Sequence, residues 1–315
     1  MLTVVTYHYV RPMPGHGGFR MHGRTPAEFE AQLDAIERSH TLIRLPQLLE
    51  YVHGGAPLPA RAALLTFDDG LVDHAQWVTP ALRRRGLSGV FFVTADAVAA
   101  RRVLPAHQIH HLLGGGRAPT VLLAELFSEL NELRTGQPEI PDEISLRQAH
   151  ERIGEWDDSA TMCFKRLLQR ELPEDVRRSV LDRMFSRHVS ADPVDFARQL
   201  YLDVAAIRSM ADDGMTFGGH GVSHRWLSRL DTQTQRAEIM GSRALLQEVL
   251  GAMPGGWSFS YPYGGYTETS VRLLAEAGCN AAFTVLRTAS ENPADDPLRI
   301  PRLDTNDLPF QSPDD

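Results

Sequence analysis

The chain has 315 residues, of which 43% are apolar and 23% charged, and its formal net charge is −8. This composition is typical of a globular protein, and the acidic balance argues against a basic nucleic-acid-binding surface. No GK[ST] triplet occurs, which excludes a P-loop, and Schiff-base chemistry would rest on Lys165, the sole lysine.

The first apolar run, Leu2–Val10, is short and rich in Val, Thr and Tyr, which predicts a buried strand. A signal peptide carries a basic region before its apolar run, and no such region precedes Leu2–Val10. No stretch of the sequence reaches the roughly 18 apolar residues of a membrane span. We therefore expect a cytoplasmic location without a membrane span, while the oligomeric state is left open.

Strand-like runs alternate with amphipathic segments, which predicts an α/β fold with parallel strands. Further strands are expected at Ala62–Phe67, Gly89–Val93, Met215–Gly218, Trp257–Ser260, Ala281–Val285 and Leu298–Leu303. Helices are expected from Thr25, where a capping box begins, and at Val72–Arg85, Asp203–Asp213, Asp231–Leu250 and Thr267–Ala277.

The stretch 99–200 breaks this alternation, because helical patterns follow one another there without a clear strand. It is too long for a loop. The sequence therefore predicts a helical insertion at 99–200 within a single domain that spans 1–315.

The segment Thr66-Phe67-Asp68-Asp69-Gly70 places two neighbouring carboxylates at the end of a buried strand. Active sites of parallel α/β folds are built at the carboxyl ends of strands. Two adjacent like charges are unfavourable unless a cation compensates them. A turn that leads into a helix cap is the plainer interpretation of this pair taken alone.

His220 and His224 follow another strand, and histidines four apart on one helical turn can share a metal ion. A second such pair, His107 and His111, lies at the start of the insertion without a preceding strand or a neighbouring carboxylate. We interpret that second pair as structural.

Two more segments lie at or near strand ends. The segment Ser260–Gly265 contains a Pro-Tyr-Gly turn of the kind that presents a backbone N–H at a defined point, although an aromatic loop anchor is the alternative. His8, on the first strand, is a core histidine unless that strand is central, in which case its side chain opens into the site. Together these segments predict an open catalytic zinc site with a second carboxylate beside it.

The order TFDDG, HxxxH and a PYG turn resembles the polysaccharide deacetylase family, also called the NodB-homology domain. The resemblance covers about 1–102 and 200–303. It implies a distorted (β/α) barrel of about seven strands. It also implies that Asp68 is the general base, that Asp69, His220 and His224 are the metal ligands, and that the Tyr263 N–H holds the oxyanion.

The sequence departs from the family pattern at three points. Gly221 replaces a Ser or Thr after the first histidine, and Ser260 replaces an Arg that supports the base. We expect Arg302, on the last predicted strand, to supply that support. No histidine follows His224, so the late acid histidine is missing. The opening TYHYV resembles a subgroup in which an N-terminal histidine is the proposed acid, which makes His8 the candidate.

The resemblance implies hydrolysis of an N-acetyl group on an amino sugar or saccharide, with one divalent ion, Zn²⁺, as cofactor. The motifs do not separate this reaction from O-deacetylation or deformylation. A catalytically silent carbohydrate-binding protein and an interaction scaffold built on the insertion are the alternatives from other classes. A metal assay distinguishes the enzyme from both.

Overall fold

Eight parallel strands form one sheet in the computed structural model, which describes residues 1–12, 23–154, 157–251, 253 and 256–308. The strands are β1 (Leu2–Tyr7), β2 (Thr41–Leu42), β3 (Ala62–Phe67), β4 (Val90–Val93), β5 (Thr216–Gly219), β6 (Trp257–Ser260), β7 (Cys279–Phe283) and β8 (Leu303–Asp304). Their order is β7-β6-β5-β4-β3-β1-β8, and β2 lies beside β3.

The segment 300–304 joins the two edges of this sheet. Ile300 forms a parallel bridge with Phe283, and the Arg302 N–H donates to the Leu286 carbonyl at 3.1 Å. The next residue, Leu303, pairs with Val5 of β1. The sheet thereby closes into a distorted barrel, and the predicted fold class is confirmed.

Thirteen α-helices occur in the described ranges. They are α1 (Pro26–Ser39), α2 (Leu45–Val52), α3 (Thr79–Arg84), α4 (Ala95–Val98), α5 (Pro105–Gly114), α6 (Pro119–Arg134), α7 (Glu143–His150), α8 (Ser159–Arg166), α9 (Glu174–His188), α10 (Pro193–Leu200), α11 (Val204–Asp212), α12 (Thr232–Leu250) and α13 (Glu268–Glu276). None of them combines the length and hydropathy that a membrane span requires.

The chain divides into two compact units. The barrel unit comprises 1–12, 23–102 and the described residues of 197–308, and the helical unit comprises the described residues of 103–196. The helical unit has a core of its own, in which Leu126, Phe164 and Leu181 are buried. It lies within the stretch 99–200 that was predicted as an insertion.

Successive side chains of each barrel strand point to opposite faces of the sheet, which gives two separate apolar layers. On the outer face, the rings of Tyr7, Phe67 and Phe91 stack across β1, β3 and β4, with centroids 5.4 and 4.7 Å apart. On the inner face, Phe92 of β4 contacts Phe283 of β7, three strands away in the sheet, at 5.4 Å. The inner apolar cluster also contains residues of α2.

Several predicted boundaries differ from the observed ones. The first strand ends at Tyr7 rather than Val10, and the last is only Leu303–Asp304. The helix expected at Val72–Arg85 begins as a π-helical turn, His74–Val78, before α3. Neither β2 nor α2 was predicted, because a two-residue strand and a two-turn helix are too short for a clear periodic pattern.

Candidate active site

The strand register brings four chain segments to one end of the barrel. Tyr7 pairs with Phe67, Gly219 pairs with both Val93 and Phe259, and the Asp68 N–H donates to the Tyr7 carbonyl at 2.9 Å. The residues that follow these strands therefore lie side by side.

Asp68 is held by a buried arginine, Arg302, which directly precedes the last strand, β8. Arg302 donates from Nη1 to Asp68 Oδ1 at 2.8 Å and from Nη2 to Oδ2 at 2.7 Å. Its Nε donates to the Thr284 carbonyl, and Ser260 Oγ bridges the pair, accepting from Arg302 at 2.9 Å and donating to Asp68 at 3.1 Å. Asp68 is 2% exposed and Arg302 1%. The arginine lies where the sequence predicted support for this carboxylate.

This pairing determines the charge state of Asp68. Burial by itself disfavours the ionised carboxylate, but the Arg302 guanidinium, with a contribution from His220, holds the pKa of Asp68 well below its ordinary value. Asp68 is therefore an anion that already receives two charge-assisted hydrogen bonds.

Asp69, His220 and His224 form a separate, buried triangle. Asp69 Oδ1 lies 3.4 Å from His220 Nε2 and 3.2 Å from His224 Nε2, and the two Nε2 atoms are 3.2 Å apart. A tetrahedral zinc ion with ligands at about 2.0–2.1 Å separates its donor atoms by about 3.3–3.4 Å. The spacing of these three donors therefore fits a divalent ion.

The tautomer of His220 agrees with this fit. Its Nδ1 lies 2.8 Å from the Ser260 carbonyl oxygen, which can only accept, so Nδ1 carries the proton and Nε2 presents a lone pair to the triangle. Burial lowers the tendency of His220 to be charged, but Asp68 and Asp69 raise its pKa above the ordinary value. The electrostatic field of the site thus favours a cation beside the imidazoles.

The two histidines lie on a loop and not on the helical turn that the sequence suggested. The loop begins directly after β5, and Gly221 and His224 adopt positive φ angles of 76° and 58°. Asp69 and Tyr263 also lie in this region, at 75° and 54°. Non-glycine residues in such conformations concentrate at functional sites, and among the described residues the remaining two are Arg61 and Arg101.

An aromatic pair borders the triangle. Tyr263 lies in a 3₁₀ turn, Pro262–Gly264, and its ring centroid is 4.5 Å from that of His224. The indole of Trp226 stacks on the Tyr263 ring at 4.7 Å with an interplanar angle of 4°. Both side chains are half-buried. Trp226 was not predicted as a site residue, although it follows the second histidine by only two residues.

His8 follows β1 and is half-buried. A positive charge on its imidazole is one of the influences that lower the pKa of Asp68, so the side chain lies within electrostatic reach of the site. The neighbouring His74 is fully buried and contacts the His8 carbonyl oxygen through Nε2 at 3.0 Å. Burial lowers the pKa of His74 to about 4, which leaves it neutral at pH 7.

The second histidine pair does not form a comparable site. His107 and His111 lie on α5, and the ring of His111 packs edge-on against Phe196 at 4.9 Å. Within the described ranges, the one group of histidines and acids arranged to hold a metal is Asp69, His220 and His224. The structural interpretation of the second pair agrees with these contacts.

Comparison with known proteins agrees with this geometry. A family model described as "Polysaccharide deacetylase" matches residues 184–282, a segment that contains His220, His224 and Tyr263 and begins after Asp68 and Asp69. No curated protein matches the chain by sequence.

Solved structures of deacetylases share the fold. The Streptococcus pyogenes deacetylase PplD is 14% identical with a TM-score of 0.57, over 96% of this chain and 91% of its own. IcaB from Ammonifex degensii is 19% identical with a TM-score of 0.55, over 99% and 92%. A de-N-acetylase from Aggregatibacter actinomycetemcomitans is 11% identical with a TM-score of 0.56, over 98% and 97%. The resemblance to the polysaccharide deacetylases is thereby confirmed.

Replacement of Arg302 by Met should be strongly destabilising, because it leaves the Asp68 carboxylate buried without its counter-charge. We expect the free energy of unfolding in urea, measured with chelator present, to fall by about 3–5 kcal/mol. The double variant Asp68→Asn/Arg302→Met should recover much of this loss.

The matched control is Arg272→Met, which breaks the exposed pair with Glu276 (3.2 Å) and should cost at most about 1 kcal/mol. Equal losses in Arg302→Met and Arg272→Met would contradict the role of Arg302 as the partner of a buried charge.

Proposed function

We propose that this chain, which has the barrel of the polysaccharide deacetylases, removes the N-acetyl group from an amino sugar or saccharide by hydrolysis. In this proposal Asp69, His220 and His224 hold one divalent ion, Zn²⁺. The observation that carries the proposal is the buried triangle of donors with a second, arginine-paired carboxylate directly beside it. This division gives one carboxylate to the metal and leaves the other for proton transfer.

A divalent ion bound in the triangle supplies Lewis acidity, which polarises an acetyl carbonyl and lowers the pKa of water. Asp68 accepts the proton of the attacking water, as a carboxylate that its partners keep ionised and oriented. Both of its oxygens bond to Arg302, which favours a base over a metal ligand. The backbone N–H of Tyr263 donates to the oxygen on which negative charge develops.

His8 donates a proton to the amine that leaves the sugar. An amide nitrogen departs poorly as an anion, so hydrolysis of an N-acetyl group needs an acid at this point. His8 is half-buried and lies within electrostatic reach of Asp68, whereas His74 is fully buried with a pKa lowered to about 4. The N–H of a neutral imidazole is a very weak acid, so His74 does not serve as the proton donor at neutral pH.

The aromatic pair supports a saccharide as the substrate. Trp226 and Tyr263 are half-buried and stacked directly beside a proposed ligand, His224. Binding sites commonly combine apolar aromatic surface with a few oriented polar groups, and a sugar ring presents C–H faces and hydroxyl edges that match both.

Asp68→Asn tests the assignment of the base. Acetate release from N-acetylated saccharides should fall by about 10²–10⁴-fold, while bound Zn²⁺ per protein stays near the wild-type value. Mass-spectrometric metal analysis of both proteins checks this, with His220→Ala as the variant that should lose the ion. Loss of Zn²⁺ from Asp68→Asn would make Asp68 a ligand and contradict the assignment.

His8→Ala tests the assignment of the acid. The variant should lose about 10²–10⁴-fold in kcat on an N-acetyl amide, but much less on 4-nitrophenyl acetate, whose leaving group departs without protonation. His53→Ala, which changes an exposed histidine, serves as the control. Equal losses on amide and ester would show that His8 is not the acid.

A further inference from the structure

We infer that Glu238 is a positioning residue that holds the two histidines of the site at the separation and orientation that metal binding requires. The inference rests on the proposed function, because it concerns the loop between the proposed ligands His220 and His224. Glu238 lies on α12 and was not among the site residues expected from the sequence.

The Glu238 carboxylate accepts three hydrogen bonds from this loop. Its Oε2 accepts from the N–H groups of Val222 (2.7 Å) and Ser223 (2.9 Å), and its Oε1 accepts from Ser223 Oγ. Glu238 is only 5% exposed. Three charge-assisted hydrogen bonds to one buried carboxylate hold the loop strongly and in a defined orientation.

The loop passes directly over this carboxylate. Gly221 adopts a φ of 76°, and a Cβ added there would lie 3.0 Å from Glu238 Oε2. A larger residue in this conformation would be strained and would crowd the acceptor. The glycine that departs from the family pattern is therefore the residue that lets the loop reach Glu238.

The helix that carries Glu238 is itself tied to the strand before the histidines. Hypothetical Cβ atoms at Gly241 of α12 and Gly219 of β5 would lie 2.6 Å from Val222 Cγ2 and 2.5 Å from Ser242 Oγ. The α12 backbone therefore contacts the loop closely, and β5 is equally close to α12. His220 directly follows β5, and β5 packs closely against α12. The hydrogen bonds from the loop to Glu238 of α12 therefore fix the loop relative to His220.

This arrangement predicts that Glu238 acts on metal affinity through the loop. Without the carboxylate, two N–H groups lose their acceptor and the residues between the ligands gain conformational freedom. The three metal-ligating atoms, Asp69 Oδ1 and the Nε2 atoms of His220 and His224, are then no longer held at separations of 3.2–3.4 Å. Loss of groups that orient metal ligands typically weakens metal binding about 10–100-fold.

The test compares Zn²⁺ affinity, by competition with a chromophoric chelator, in wild type, Glu238→Ala and Glu238→Gln. Glu238→Ala should raise the Zn²⁺ Kd by about 10–100-fold and alter the visible absorption spectrum of bound Co²⁺. Glu238→Gln should restore affinity and spectrum, because its amide oxygen accepts from both N–H groups and its NH₂ donates to Ser223 Oγ.

Asp231→Ala is the matched control for helix stability, because Asp231 caps the same helix through Thr234 (2.9 Å) but is exposed. It should lower Tm and leave Zn²⁺ affinity unchanged. Equal Kd values in wild type and Glu238→Ala, equal weakening in Asp231→Ala, or failure of Glu238→Gln to rescue would each overturn the inference. A wild-type protein that binds no Zn²⁺ would instead contradict the proposed function.

Discussion

Two adjacent carboxylates buried at the end of β3 are the constraint around which the barrel end is organised. Asp68 and Asp69 are 2% and 4% exposed, and two neighbouring anions with so little solvent need positive charge nearby. Arg302 meets that need for Asp68, while the imidazoles of His220 and His224 face Asp69. The site therefore separates one carboxylate that is already neutralised from one that attracts a cation.

The closure of the barrel and the charge balance of the site depend on the same segment. Residues 300–304 contact β7 on one side and β1 on the other, and Arg302 projects from that segment onto Asp68. Ser260, at the end of β6, bridges the pair through its hydroxyl, and Arg302 reaches Asp68 from the segment that completes the barrel.

Much of the barrel was predictable because its strands are short apolar runs whose boundaries follow local composition. Trp257–Ser260 and Ala62–Phe67 were predicted with their observed bounds. The π-helical turn His74–Val78 was not predictable, since its sequence has the periodicity of an ordinary helix. The same holds for the loop of the histidine pair, whose i,i+4 spacing suggests a helix but whose geometry depends on positive φ angles and on Glu238.

Glu238 and Trp226 were missed for different reasons. A glutamate on a long helix usually lies on the solvated face, and its burial is visible only from the helical period that places it with Ile239, Ser242 and Leu246. Trp226 is not part of any sequence motif. Its position depends on stacking against Tyr263, which lies on a separate loop. The contact of Glu238 with the histidine loop and the stack of Trp226 on Tyr263 are tertiary contacts that no local pattern contains.

The most direct test of the account is acetate release from N-acetylated sugars of increasing length, before chelation, after complete metal removal and after Zn²⁺ is restored. The metal-loaded protein should release acetate, lose this activity on chelation and recover it when Zn²⁺ is restored. Undiminished release by metal-free protein, or no release from any N-acetylated sugar by fully loaded protein, would contradict the account.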